Sequence, residues 1–105
     1  MLDTLRERFT RYAAVDTRVN PDAGTTPSSP GQFILAEMLV RELREIGLTD
    51  ASMDEHAYVT APLPAGGGAD RDAPSIGLLA PLAPAVEVSG AGVNPRVIPG
   101  YDGSD

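Results

Sequence analysis

The stretch Ser29-Pro30-Gly31-Gln32-Phe33-Ile34-Leu35-Ala36-Glu37-Met38-Leu39-Val40-Arg41-Glu42-Leu43-Arg44-Glu45-Ile46-Gly47-Leu48 decides how this chain is read. Leu35, Met38, Leu39, Leu43 and Ile46 recur at helical spacing, and Glu42 alone interrupts the apolar face. Ser29 is a good N-cap, Pro30 sits where its missing N–H costs nothing, and Gln32 has the spacing of a capping box. Gly47 supplies a left-handed stop, with Leu48 placed to fold back on the last turn. Glu37 and Arg41 are ordered for an i,i+4 pair on the outer face. The spacing therefore predicts an amphipathic helix between a capped start and a glycine stop.

Upstream, Leu2, Leu5, Phe9, Tyr12 and Ala13 share one helical face over Leu2 to Ala14, and Arg6, Glu7, Arg8 and Arg11 face water. Asp3 is expected to cap that helix and to complement its dipole. From Asp16 to Ser29 the periodicity stops. Asn20-Pro21-Asp22-Ala23-Gly24 is turn chemistry, and Thr25 to Pro30 continues as loop.

Downstream, the period shortens. Ala51 to Asp54 reads as a weak strand and Ala57 to Ala61 as a better one, with Glu55-His56 as a tight connection. Ala65 to Asp72, containing Gly66-Gly67-Gly68, is a flexible link. Ser75-Ile76-Gly77-Leu78-Leu79-Ala80 is a continuous apolar run of the kind covered on both faces in an α/β sheet. Beyond Pro81 only Arg96-Val97-Ile98 resembles a strand. Two N-terminal helices followed by about three strands give an α/β arrangement with an incomplete sheet and exposed edges.

Composition narrows the function. The chain has 105 residues, a net charge of −7, no Cys and no Trp, and all eight of its basic residues are Arg. The acidic balance argues against nucleic acid, which selects a basic surface. Without cysteine there is no disulfide framework and no thiolate site. Neither a signal peptide nor a membrane span is legible, so a cytoplasmic location is expected. Phe9, Tyr12, Phe33, Tyr58 and Tyr101 are the only aromatic residues, a thin supply for a core of its own.

Single residues offer little chemistry. His56 is the only histidine, with neither a Cys nor a second His to complete a metal site, and reads as a turn residue. Asp54, Glu55, Asp70 and Asp72 lack the spacing of a calcium loop. Gly66-Gly67-Gly68 is not followed by the Lys-Ser/Thr of a phosphate loop. Ser28 and Ser29 have no recognisable general base.

Taken in order, the segments resemble the peptidase T family, the tripeptide aminopeptidase branch of the zinc-dependent exopeptidases. The similar stretches begin with Leu5-Arg6-Glu7-Arg8-Phe9 with Tyr12, Asp16-Thr17, and Ser29-Pro30-Gly31-Gln32 leading to Leu35-Ala36 and Leu39. They continue through Glu42-Leu43, Ile46-Gly47-Leu48, Tyr58-Val59-Thr60-Ala61 with Leu63-Pro64-Ala65, and Ile76-Gly77-Leu78-Leu79-Ala80. Ser89-Gly90, Val93-Asn94-Pro95 and Tyr101-Asp102-Gly103 complete the set. The resemblance implies a cytoplasmic metallopeptidase that releases the N-terminal residue from tripeptides, built as a catalytic α/β domain interrupted by a smaller lid or dimerisation domain. It implies two zinc ions held by His, Asp and Glu, and a Glu acting as general base on a bridging water whose pKa the cations lower.

The family's first metal motif, His-any-Asp-Thr, follows the buried strand. Here Pro81-Leu82-Ala83-Pro84 stands in that place, with Pro81 at the His position, Ala83 at the Asp position and Pro84 at the Thr position. Neither Pro81 nor Ala83 carries a side-chain donor for zinc, and each of the three replacements is reachable by a single A-to-C base change. Glu87 lies near an acidic position of the motif and, without its His partner, reads as a surface carboxylate. Residues 1–105 are accordingly expected to be the N-terminal portion of a peptidase catalytic domain, without the lid domain or the rest of the catalytic domain. No catalytic residue and no bound zinc is expected of this chain, which is predicted to be inactive alone. The alternative is a non-catalytic interaction module derived from a peptidase, associating through an exposed sheet edge.

Overall fold

The computed structural model describes residues 2–68 and 72–104. The middle of the link expected over residues 65–72, including Asp70, lies outside the described residues. Helix α1 spans Leu2–Ala13, helix α2 Pro30–Glu45, strand β1 Ser52–Met53 and strand β2 Val59–Thr60.

Helix α2 organises the chain. Ser29 takes the extended N-cap conformation (φ −146°, ψ 149°), yet its side chain makes no capping bond. Its Oγ is buried and unpartnered. Gln32 does the work instead, one residue further back than a capping box requires. Gln32 Oε1 accepts the Ser28 N–H at 3.0 Å, and Gln32 Nε2 donates to the Thr17 carbonyl at 3.2 Å. The cause is the loop at Asp16-Thr17, which lies against the first turn of α2 and draws the Gln32 amide toward it. A Cβ on Gly31 would collide with the Asp16 carbonyl oxygen, so only glycine permits this approach. The other end of α2 closes as the sequence predicts. Gly47 adopts φ +106°, and the Leu48 N–H bonds the Leu43 carbonyl at 2.9 Å while the Gly47 N–H bonds that of Arg44 at 3.1 Å. This is the full pair of Schellman bonds.

Strands β1 and β2 form one antiparallel ladder, with Ser52 opposite Thr60 and Met53 opposite Val59. The hairpin is held by Asp54, whose Oδ1 accepts the N–H groups of His56 and Tyr58, each at 2.9 Å. Ala57, buried at φ 62°, is the one non-glycine residue with positive φ among those described. The hairpin packs on α2 through a small core of Leu35, Ala36, Ala51 and Ala57, with Thr17 and Gln32 as buried polar members. Arg44 Nε ties the two by donating to the Ala51 carbonyl at 2.9 Å.

Helix α1 buries none of its residues. Asp3 lies within its first turn rather than at its cap, and pairs with Arg6 at 3.6 Å. The expected Glu37–Arg41 pair is not among the ion pairs of the described residues; Glu42 is the acidic residue of α2 that pairs.

The partial α/β class stands, but the strand count is smaller than the sequence predicts. The two expected strands of the hairpin shrink to two residues each. Neither Ser75–Ala80 nor Arg96–Ile98 forms a strand. Ile76, Leu78 and Leu79 are 87%, 97% and 96% exposed. The physical reason is the ladder itself: an apolar run suited to burial on both faces becomes a strand only beside other strands, and the two-stranded hairpin does not pair with it. No helix among the described residues is long and apolar enough to cross a membrane.

Candidate functional site

The segment Pro81-Leu82-Ala83 forms one wall of an open cleft of about 770 Å³. The loop Thr25–Ser28 and the hairpin residues His56 and Tyr58 supply the facing walls. Local chemistry places His56 there. Its backbone is fixed by the Asp54 carboxylate, its Nδ1 lies 3.1 Å from the Thr26 carbonyl, and its Nε2 lies 3.6 Å from Glu55 Oε1. The ring meets that of Tyr58 edge-on, with centroids 6.5 Å apart. The structure therefore brings the sole histidine to the same cleft as Pro81 and Ala83, a proximity that sequence spacing does not reveal.

The donor set of this cleft does not fit zinc. Pro81, Leu82 and Ala83 offer no side-chain donor, and one imidazole with one nearby exposed carboxylate falls short of the three protein ligands a catalytic zinc requires. Among the described residues no group of three or more His, Cys, Asp or Glu is placed to hold a metal ion. The described lining of the cleft is largely apolar, with the hydrogen-bonded His56 among its residues.

A second arrangement converges on Asp16. The Gly31 approach described above brings α2 against its backbone, and a Cβ on Gly90 would stand 2.8 Å from Asp16 Oδ1. Asp16 Oδ1 also accepts the Arg18 N–H at 3.2 Å. Asp16-Thr17, Gly31-Gln32 and Gly90, scattered in sequence, thus form one contact.

The third arrangement was invisible to periodicity. Glu42, the residue that interrupts the apolar face of α2, is where α1 is fastened. Tyr12 Oη donates to Glu42 Oε2 at 2.6 Å, Arg11 Nη2 donates to Glu42 Oε1 at 2.6 Å, and Arg8 Nε lies 3.4 Å from Glu42 Oε2. The Glu42 side chain is 13% exposed. The Tyr12 hydrogen bond, reinforced by Arg11 and Arg8, holds its carboxyl below the usual range. Burial, and then the bond to Glu42, pushes the Tyr12 hydroxyl up. The available signal was a charged residue at a helical position that should face inward, matched by a Tyr and two Arg on the other helix.

Fold and site together define a partial α/β unit of two helices and a two-stranded antiparallel sheet beside an open cleft. No protein-family model matches the chain. Curated relatives do, along its whole length: the peptidase T of Geobacillus sp. (strain WCH70) is 47% identical, that of Geobacillus thermodenitrificans (strain NG80-2) 50%, and that of Bacillus licheniformis 49%, each over 105 residues. Along its whole length the chain is similar to these peptidase T proteins, and it spans about a quarter (25%) of their length.

Proposed function

We propose that this chain is the N-terminal portion of the catalytic domain of a peptidase T-type aminopeptidase and has no peptidase activity by itself. What supports the reading is similarity along all 105 residues, and with it the resemblance by which Pro81 and Ala83 stand where the family's first metal motif would have its His and Asp. The family scaffold is retained while the donors of that motif are replaced. On this reading the family's reaction is release of the N-terminal residue from tripeptides in the cytoplasm, assisted by two zinc ions. This chain contributes helices α1 and α2, the hairpin and the apolar run, and no ligand from the cleft.

The test is hydrolysis of a tripeptide by the purified chain with added zinc, with a full-length relative as the positive control. Turnover equal to the buffer blank is expected. Cleavage that scales with the concentration of the purified chain would contradict the proposal.

A further inference from the structure

Asp102-Gly103 is the one Asp-Gly pair in the sequence. The backbone nitrogen that follows an aspartate can attack the side-chain Cγ and close a five-membered succinimide ring. A side chain on the following residue crowds that approach, and glycine has none. Asp3, Asp16, Asp22, Asp50, Asp54 and Asp72 each precede a residue with a Cβ. Both asparagines, Asn20 and Asn94, precede proline, whose nitrogen carries no proton to give up. Asp102 and Gly103 are exposed, and a Cβ placed on Gly103 would meet nothing within 4 Å. Neither the attack nor the entry of water is blocked from outside.

The local turn also prepares the carboxyl group. Asp102 Oδ1 accepts the Ser104 N–H at 3.0 Å and the Ser104 hydroxyl at 2.6 Å. An ionised carboxylate spreads its charge over two oxygens, whereas the tetrahedral adduct formed by attack on Cγ concentrates the charge on one. Two donors fixed on Oδ1 therefore stabilise the adduct more than the ground state, which is the logic of an oxyanion hole. The same bonds, that of the Ser104 hydroxyl first, hold the Asp102 carboxyl below its usual range. The protonated form, which can lose water, accordingly grows as pH falls.

We propose that Asp102-Gly103 is a site of spontaneous covalent modification at which Asp102 converts to isoaspartate, with Ser104 holding the reacting oxygen. The Gly103 nitrogen forms a bond to Asp102 Cγ and gives up its proton. Oδ2 departs with that proton and the carboxyl proton as one water, leaving the succinimide. One water then adds to the imide. Opening between the nitrogen and the main-chain carbonyl routes the backbone through Cγ and frees an α-carboxylate, while opening at the other bond restores aspartate. Nothing is oxidised or reduced, the charge is kept, and the backbone is lengthened by one carbon. The product is the class of substrate taken by isoaspartyl carboxyl methyltransferases. None of this chemistry depends on the family resemblance or on residues outside 102–104.

The experiment is prolonged incubation of the purified protein at physiological temperature in mildly acidic and mildly alkaline buffer. Isoaspartate is counted by methyl transfer from labelled S-adenosylmethionine with an isoaspartyl methyltransferase, and located by peptide mapping. It should accumulate at residue 102 above every other aspartate, faster in the acidic buffer, with a dehydrated peptide as the intermediate. Ser104→Ala should slow accumulation by about threefold, less than the loss of a buried oxyanion donor because the turn is open to water. Ser104→Thr should keep the wild-type rate, and Gly103→Val should abolish the product. Circular dichroism should be unchanged in all three variants, because residues 103 and 104 are exposed. Isoaspartate no more abundant at 102 than elsewhere, or a rate unchanged or raised by Ser104→Ala, would overturn the proposal.

Discussion

Glu42 shows how much one side chain can decide in a chain with so small a core. Helix α1 has no buried residue, so its attachment to α2 depends on a carboxylate that accepts bonds from Tyr12 and Arg11 and lies beside Arg8. Arg11 is about half exposed, and its pairing is therefore screened by solvent; the short Tyr12 bond carries more of the attachment. Replacing Glu42 with Ala should weaken the docking of α1 by about 1 kcal/mol, the net scale of one hydrogen bond at a part-buried site, read as faster amide exchange over residues 2–13. The pH response has a definite sign. A lowered folded-state carboxyl stabilises above its ordinary value of 4.5 and loses that contribution as pH falls through the lowered value. A raised Tyr12 hydroxyl stabilises below its ordinary value of 10.0 and loses that contribution as pH rises through the raised value. The docking of α1 should therefore weaken at both extremes, and Glu42→Gln should abolish the acid limb. Gly31 gives a sharper prediction. Gly31→Ala forces a Cβ into the Asp16 carbonyl and should cost about 1–3 kcal/mol by overpacking. Gly66→Ala, with nothing within 4 Å, should be near neutral in the same urea titration.

Among the elements, α2 was the most legible, because its periodicity, proline start and glycine stop all pointed one way. Its C-terminal motif formed as spaced, and Gly47→Ala at φ +106° should destabilise the chain by about 1 kcal/mol in thermal denaturation. Its N-terminus was read to the right residue but with the wrong bonds, since Gln32 was drawn to Thr17 by a tertiary contact that local spacing does not encode. The Glu42 attachment escaped for a similar reason: it joins residues 30 positions apart or more. The hairpin was legible in place, and only its length was overstated. For Ser75–Ala80 the apolar pattern reported an environment that the chain does not contain. A pattern of that kind specifies what a segment needs, and the ladder appears only where a neighbour supplies it.

The molecule as a whole is more open than its length allows for a self-sufficient domain. Its radius of gyration is 16.9 Å, against about 13 Å for a compact domain of this size. That openness follows from the exposed run at residues 75–80, the bare face of α1 and a core that, among the described residues, holds four apolar side chains. The isolated chain should accordingly unfold with a shallow denaturant dependence, because m tracks the surface exposed on unfolding; a steep, two-state urea transition of an ordinary domain this size would contradict it. The cleft was half legible. The sequence identified Pro81 and Ala83 as positions without donors, while the approach of His56 to the same wall required the hairpin to be built. The most direct test of an inherited scaffold without its metal site is the zinc content of the purified chain after equilibrium dialysis against micromolar zinc. The account predicts substoichiometric metal, unchanged by His56→Ala, and one or two tightly held zinc ions per chain would contradict it.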